Sequence, residues 1–360
     1  MNTEKKFFHS NTAIVTLFAA CFVVLISLGV RQTFGLFFID FNESLNISNT
    51  AFGFAIGTQM LMWGLTGPIF GAIADRFGGH VAIISSFLFY TLGVYFLYSG
   101  PNTGIFFQIH LGLLIGIGLG GTAISIPMSI VGKHFPLSNR TIAMSIVTAV
   151  GSFGYFISPI FTNYSLIEYG WNYTLFLFSL FLVTGLIAAF FVRSPKENEI
   201  VENRSDQSFK EALSEAFKSK SYILLVSGFF VCGFHITLVG THVPKYVIDR
   251  GLEDWTAAAI LSLIGLFNIF GSLLSGYLST KISKKVLLSA IYLLRGFSIA
   301  FFIFTPPSVL SAFIFGASFG FLWLSTVPAT SGIVAHLFGT KYLGLLYGIV
   351  FLSHQIGSFF

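Results

Sequence analysis

Ala51-Phe-Gly-Phe-Ala-Ile-Gly-Thr-Gln59-Met-Leu-Met-Trp63-Gly-Leu-Thr-Gly67-Pro-Ile-Phe-Gly71-Ala-Ile-Ala-Asp75-Arg76-Phe-Gly78-Gly79-His80 carries no charge from residue 51 to 73 and then closes on a charged, glycine-rich turn. A helix that crosses a bilayer needs about 20 mostly apolar residues, and this run meets that length. It is too long for a strand of an outer-membrane barrel, which crosses in roughly 10 alternating residues. Working outward, similar runs lie near 12–38, 80–98, 104–132, 141–163, 172–192, 221–246, 256–278, 286–304, 308–335 and 343–360. The expectation is an all-α membrane protein with eleven transmembrane helices.

Composition agrees. Charged residues make up 9% of the chain and hydrophobic ones 54%, with a mean hydropathy of +0.84, whereas a soluble domain carries about 25% charged residues. So little polar surface cannot cover a globule in water. The first run exceeds the 7–15 residue core of a cleaved signal peptide, and no small-x-small cleavage site follows it. Cys21 and Cys232 both fall in apolar runs, which excludes a disulfide framework and a zinc motif. No metal site and no cofactor are expected.

The net charge of +5 would suggest nucleic acid in a soluble protein, but its placement points to a membrane instead. Of the 19 Lys and Arg, Arg31 and Arg295 lie inside runs and Lys245 and Arg250 lie on one side of the membrane. The remaining fifteen share the side of the N-terminus. By the positive-inside rule that side is cytoplasmic. Residues 193–220 then form a charged cytoplasmic linker, read as needing no fold of its own, between bundles at 1–192 and 221–360.

The two bundles resemble each other. Gly67 to His80 recurs as Gly271-Ser-Leu-Leu-Ser-Gly276-Tyr-Leu-Ser-Thr280-Lys281-Ile-Ser-Lys284-Lys285, 205 positions later. Lys133-His-Phe-Pro136 recurs as His336-Leu-Phe-Gly339 after 203 positions, and Gly29-Val-Arg31 as Gly233-Phe-His235 after 204. Duplicated halves are a common plan of secondary transporters. On that offset the partners of 141–192 would run to about residue 395, so helix twelve and the end of helix eleven are expected beyond residue 360.

The motif Gly71…Asp75-Arg76-x-Gly78-Gly79 resembles the loop signature of the major facilitator superfamily, and the likeness extends along the whole chain. It implies two six-helix bundles, alternating access, and a monomeric carrier of a small molecule. It also implies a conformational switch at Gly71, Asp75, Arg76, Gly78 and Arg140; Thr280 replaces the acid in the second copy. Arg31-Gln-Thr-Phe-Gly35, Lys133-His-Phe-Pro136 with Arg140, Cys232-Gly-Phe-His235, Gly265-Leu-Phe-Asn268-Ile-Phe-Gly271 and Ser353-His-Gln-Ile-Gly357 are similar to bacterial members of its monocarboxylate and oxalate/formate branch. Helix eight lacks the Arg and Asp that such carriers often use.

Among 14 acids none lies in the middle of a run, yet Arg31 and Arg295 do. A charge in lipid is expensive and usually faces a cavity and a partner. A substrate anion is one candidate partner, because the guanidinium fork matches a carboxylate. Arg31 is favoured, since it repeats as His235 and the resemblance places both on cavity-lining helices; the alternative is that it snorkels or binds carbonyls. Arg295 is read as structural. His235, His242 and His354 are the titratable groups of the lining runs, with hydrogen bonding between helices as the plainer reading. Gln59, Trp63, Asn268, Trp323 and Gln355 are further lining candidates.

Gly116-x-Gly118-x-x-Gly121 and Gly316-x-Ser318-x-Gly320 mimic a dinucleotide fingerprint and a nucleophile elbow but lack the strand context. They read better as small-residue faces for close helix packing, as do Gly112, Gly116 and Gly120. Pro127, Pro159 and Pro328 are expected to kink helices. Together these features favour transport of a small organic anion, with protons as a further partner, across the cytoplasmic membrane. Export of amphipathic solutes, a non-transporting sensor or an inactive remnant remain open.

Overall fold

In the computed structural model the described residues are 11–135, 137–194, 209–338 and 343–360. They are helical with no strand among them, and they divide into two compact units, Met1–Ile200 and Val201–Phe360.

The first unit begins with α1 (Asn11–Gln32), which tightens into a 3₁₀ turn at Phe34–Phe37 and continues as α2 (Phe38–Leu45). After α3 (Asn49–Phe77) and α4 (Gly79–Ser99) comes α5 (Ile105–Phe107), joined by a π-helical turn at Gln108–Leu114 to α6 (Ile115–Thr122) and then α7 (Ser125–His134). The long α8 (Leu137–Ala189) is two helices, because Gly170 has φ 79° and ψ 168°. A straight helix would hold Phe161 and Phe181 about 30 Å apart, yet their rings lie 5.3 Å apart. Ser165 and Thr174 hydroxyls meet at 2.8 Å across the same turn.

The second unit contains α9 (Phe209–Lys218), α10 (Lys220–Asp249), α11 (Asp254–Lys281), α12 (Lys284–Phe304), α13 (Val309–Leu322), α14 (Thr326–Phe338) and α15 (Leu343–Phe359). Helix α9 lies within residues 193–220, the segment read from sequence as a linker that needs no fold of its own. Ala212 and Ala216 are buried on one face while Glu211, Glu215 and Lys218 lie away from it, toward solvent or its edge. Apolar residues four apart give it a stripe to dock.

Eight helical stretches among the described residues are long and apolar enough to cross a membrane. One of them, Ile146–Ala189, contains the turn at Gly170. Large apolar side chains point outward from both units, including Phe18 at 71% exposure and Phe304 at 86%. Lipid is the solvent in which that surface is stable. The chain is a multi-pass membrane protein.

The packing repeats between units. Helix α1 lies along α8 as α10 lies along α15, and α3 packs on α6 as α11 packs on α13. Glycines set these close approaches. A Cβ on Gly112 would sit 3.1 Å from the Ala55 carbonyl oxygen and one on Gly116 2.6 Å from that of Gln59. At an offset of 204, a Cβ on Gly316 would sit 3.2 Å from the Ile260 carbonyl and one on Gly320 2.5 Å from Ile264 Cα. The small-residue faces are therefore contact seams between helices.

Two prolines correct the expectation of kinks. Pro127 and Pro328 lie in the first turns of α7 and α14, just after breaks that separate α6 from α7 and α13 from α14. A first-turn proline lacks an N–H that would have had no helical partner there. These prolines restart helices rather than bend them. Pro159 does lie inside α8, and Pro68 and Pro244 lie inside α3 and α10.

Candidate functional site

Arg31 is the penultimate residue of α1, immediately before the helix changes to the 3₁₀ turn. It is 7% exposed. Its Nη2 donates to the Met60 thioether at 3.2 Å, and its Nε has no partner. Among the described residues it meets no carboxylate. The neighbouring Gln32 amide is buried with both polar atoms unsatisfied. On α3, next to Met60, Gln59 donates to the Leu111 carbonyl of the π turn at 3.0 Å while its Oε1 stays open. Trp63, one turn further along α3, is half-buried. The structure thus brings Arg31 to Met60 of α3, the residue that follows Gln59 in the chain.

Of the switch residues, Gly71, Asp75 and Arg76 lie in the last turns of α3, Gly78 follows it, and Arg140 lies in α8. Gly78 has φ 96°, in a region that favours glycine, and it lets α4 start at once. The amide of Gly79 donates to Ser194 Oγ at 2.9 Å, and His134 Nε2 meets the Arg193 carbonyl at 2.6 Å. The loop is therefore tied to residues after α8. Arg76 is exposed and lies over the Phe77 ring at 5.2 Å, and Gly71 meets no neighbour within 4 Å of its would-be Cβ. Asp75 and Arg140 lie in helices, but their side chains are outside the described residues.

In the second unit, His235 is half-buried with Nδ1 unsatisfied. His354 stacks on Phe351 at 5.8 Å and contacts Gln355 Oε1 through Nδ1 at 3.0 Å, which leaves Gln355 Nε2 buried and open. His242 is exposed. Asn268 acts structurally, since its Oδ1 accepts the Leu324 amide at 2.9 Å in the break between α13 and α14. Trp323 lies in the same break, 1% exposed, with its ring 5.6 Å from Phe319.

Arg295 completes this break. It is wholly buried on α12. Its Nε and Nη2 donate to the Leu322 carbonyl at 3.1 and 2.6 Å, Nη2 also donates to the Trp323 carbonyl, and Nη1 reaches Cys232 Sγ at 3.0 Å. The end of α13 presents carbonyls with no helical partner and a partial negative charge. A guanidinium is a suitable cap for it.

The repeat offset reveals a second group that sequence reasoning missed. Ser27, Tyr90 and Thr122 correspond to Cys232, Arg295 and Thr326 at offsets of 205, 205 and 204. In the first unit the Tyr90 hydroxyl donates to the Ser27 carbonyl at 3.0 Å, and the Ser27 and Thr122 hydroxyls meet at 2.7 Å. In the second, Arg295 reaches Cys232, and Cys232 Sγ lies 3.5 Å from Thr326 Oγ1. Each triad pins three helices together. The signal was present in the sequence, as polar residues at matching positions of the two apolar halves.

A chain of duplicated helical units with paired helix breaks invites comparison with known membrane proteins. The family model of the Major Facilitator Superfamily matches residues 20–360. The uncharacterized MFS-type transporter YcxA of Bacillus subtilis is 23% identical over 95% of this chain and 85% of its own length. Monocarboxylate transporter 6 of Mus musculus is 25% identical over 79% of this chain and 65% of its own length. The solved structure of the POT family transporter PepTSo superposes with a TM-score of 0.74 at 13% identity, covering 97% of this chain and 88% of that one. With the duplicated packing and the matched breaks, these findings establish that the chain belongs to the major facilitator superfamily of transporters, whose members carry small molecules.

Proposed function

We propose that the protein carries a small organic anion, of the monocarboxylate type, across the cytoplasmic membrane by alternating access, with Arg31 binding the carboxylate. The observation that carries this reading is the state of Arg31. A buried guanidinium whose described partner is a thioether, a weak acceptor, has donors to spare and no carboxylate beside it among the described residues. A carboxylate would supply the missing charge and accept two parallel bonds. The similarity to a mouse monocarboxylate transporter supports the same class.

Gln59, Trp63, His235, Asn268, Trp323, His354 and Gln355 are proposed to shape the substrate path, Asn268 and Trp323 through the break they support. Gly71, Asp75, Arg76, Gly78 and Arg140 are proposed as the switch of a monomer whose N-terminus is cytoplasmic. If protons accompany the anion, His235, His242 and His354 are their carriers, and transport changes between about pH 5 and 8.

Counterflow of labelled short monocarboxylates in proteoliposomes tests the reading. Arg31→Lys keeps the charge but loses the fork, and is expected to weaken transport. Arg31→Gln is expected to abolish it at unchanged protein content. Undiminished counterflow by the Gln variant would overturn the assignment.

A further inference from the structure

Arg295 is a cation without a carboxylate among the described residues, at 0% exposure and within a membrane-spanning segment. A guanidinium does not give up its proton in a protein. Backbone carbonyls of Leu322 and Trp323 take up donors but bring no whole charge. The remaining donor, Nη1, is aimed at Cys232 Sγ at 3.0 Å. A neutral thiol is a weak acceptor, while a thiolate is both a strong acceptor and a counter-charge.

The repeat sharpens this reading. In the first unit the matching positions hold Tyr90 and Ser27, two neutral hydroxyls. Where tyrosine is replaced by a cation, the serine position holds a cysteine, a residue of nearly the same size that can ionise. The ionisable surroundings of Cys232 come from two other helices. Tyr292 accompanies Arg295 on α12, and Tyr347 and His354 approach from α15. From α14 comes the hydroxyl of Thr326. Helix α11 carries its acid and its lysine at its two ends, Asp254 and Lys281.

We propose that Cys232 is a thiolate paired with Arg295, forming a buried proton-binding site in the second unit. Uptake of one proton forms the S–H bond and leaves Arg295 on the two carbonyls. Loss of that proton to a base in solution breaks the S–H bond, and the sulfur keeps its electron pair. The site stands on geometry within one unit and does not depend on which solute is carried.

Only two cysteines exist, so the full chain with Cys21→Ser has one thiol. Thiolate ultraviolet absorbance of that protein in detergent, minus that of the Cys21→Ser, Cys232→Ser double variant, is followed against pH. The expected result is one equivalent of thiolate at neutral pH, lost reversibly on acidification and lost at neutral pH in Arg295→Gln. Absorbance that rises only near the ordinary thiol value of about 8.5 or above would overturn the pair. This difference measurement decides the matter even if Arg295→Gln does not fold.

Discussion

The triads of the two units lie at matching sequence positions, although Thr122 ends α6 whereas Thr326 begins α14, and one is neutral and the other charged. Tyr90, Ser27 and Thr122 hold their helices with hydroxyls, and their bonds stay local to the α1–α4–α6 meeting point. Arg295, Cys232 and Thr326 hold theirs with a guanidinium that also closes the exposed carbonyls at the end of α13. The break after α6 is different: the Ala123 amide bonds back to the Leu119 carbonyl at 3.1 Å. Duplication thus preserved where helices are pinned and let the chemistry of the pin diverge. A neutral pin tolerates loss of one bond, whereas a charged pin leaves a charge or several carbonyls stranded when one member is lost.

The largest expected consequence follows from Arg295. Arg295→Gln strands the Leu322 and Trp323 carbonyls, each worth about 1–3 kcal/mol when left unsatisfied, so a loss on the order of 3 kcal/mol is expected in thermal unfolding in detergent. Next comes Gly233→Ala. Its new Cβ would overlap the His354 backbone carbonyl, which cannot rotate away, so α10 and α15 must part at a cost of about 1–3 kcal/mol. The matching Gly29→Ala meets the Ser158 hydroxyl first, a side chain that can turn, so the same unfolding assay should show a smaller loss.

Tyr90→Phe removes one hydrogen bond from the neutral pin and should cost about 1 kcal/mol. If Tyr90→Phe and Arg295→Gln lower stability equally, the distinction between the pins fails. The smallest effect is expected for Gly276→Ala, where no atom lies within 4 Å of the new Cβ. A helical Gly→Ala change is worth at most about 1 kcal/mol, so the unfolding midpoint should hold or rise slightly. A clear fall there would show that the open space beside Gly276 is used by another conformation.

Much of this architecture follows from the sequence alone. Apolar runs of bilayer length can only be helices in lipid, because each backbone group must be satisfied within its own segment. Recurrence of Gly67–His80 and of Gly29–Arg31 some 204 positions later exposes the duplication without any structure. The isolation of Arg31 from acids is also legible, since charges inside apolar runs stand out one by one.

Only tertiary structure decided the rest. Pro127 and Pro328 could have bent continuous helices; the structure instead interrupts α6–α7 and α13–α14 before them, and at the second break side chains from other helices satisfy the freed backbone. Asn268 reads from sequence as a polar lining residue, and its bond to the Leu324 amide depends on a segment 56 residues away in the chain. The same holds for Arg295 and Cys232, 63 residues apart. Periodicity and length report on a segment's own hydrogen bonds and its solvent. Which buried polar group meets which is set by helix packing, where a contact is fixed by residues that local sequence does not bring together.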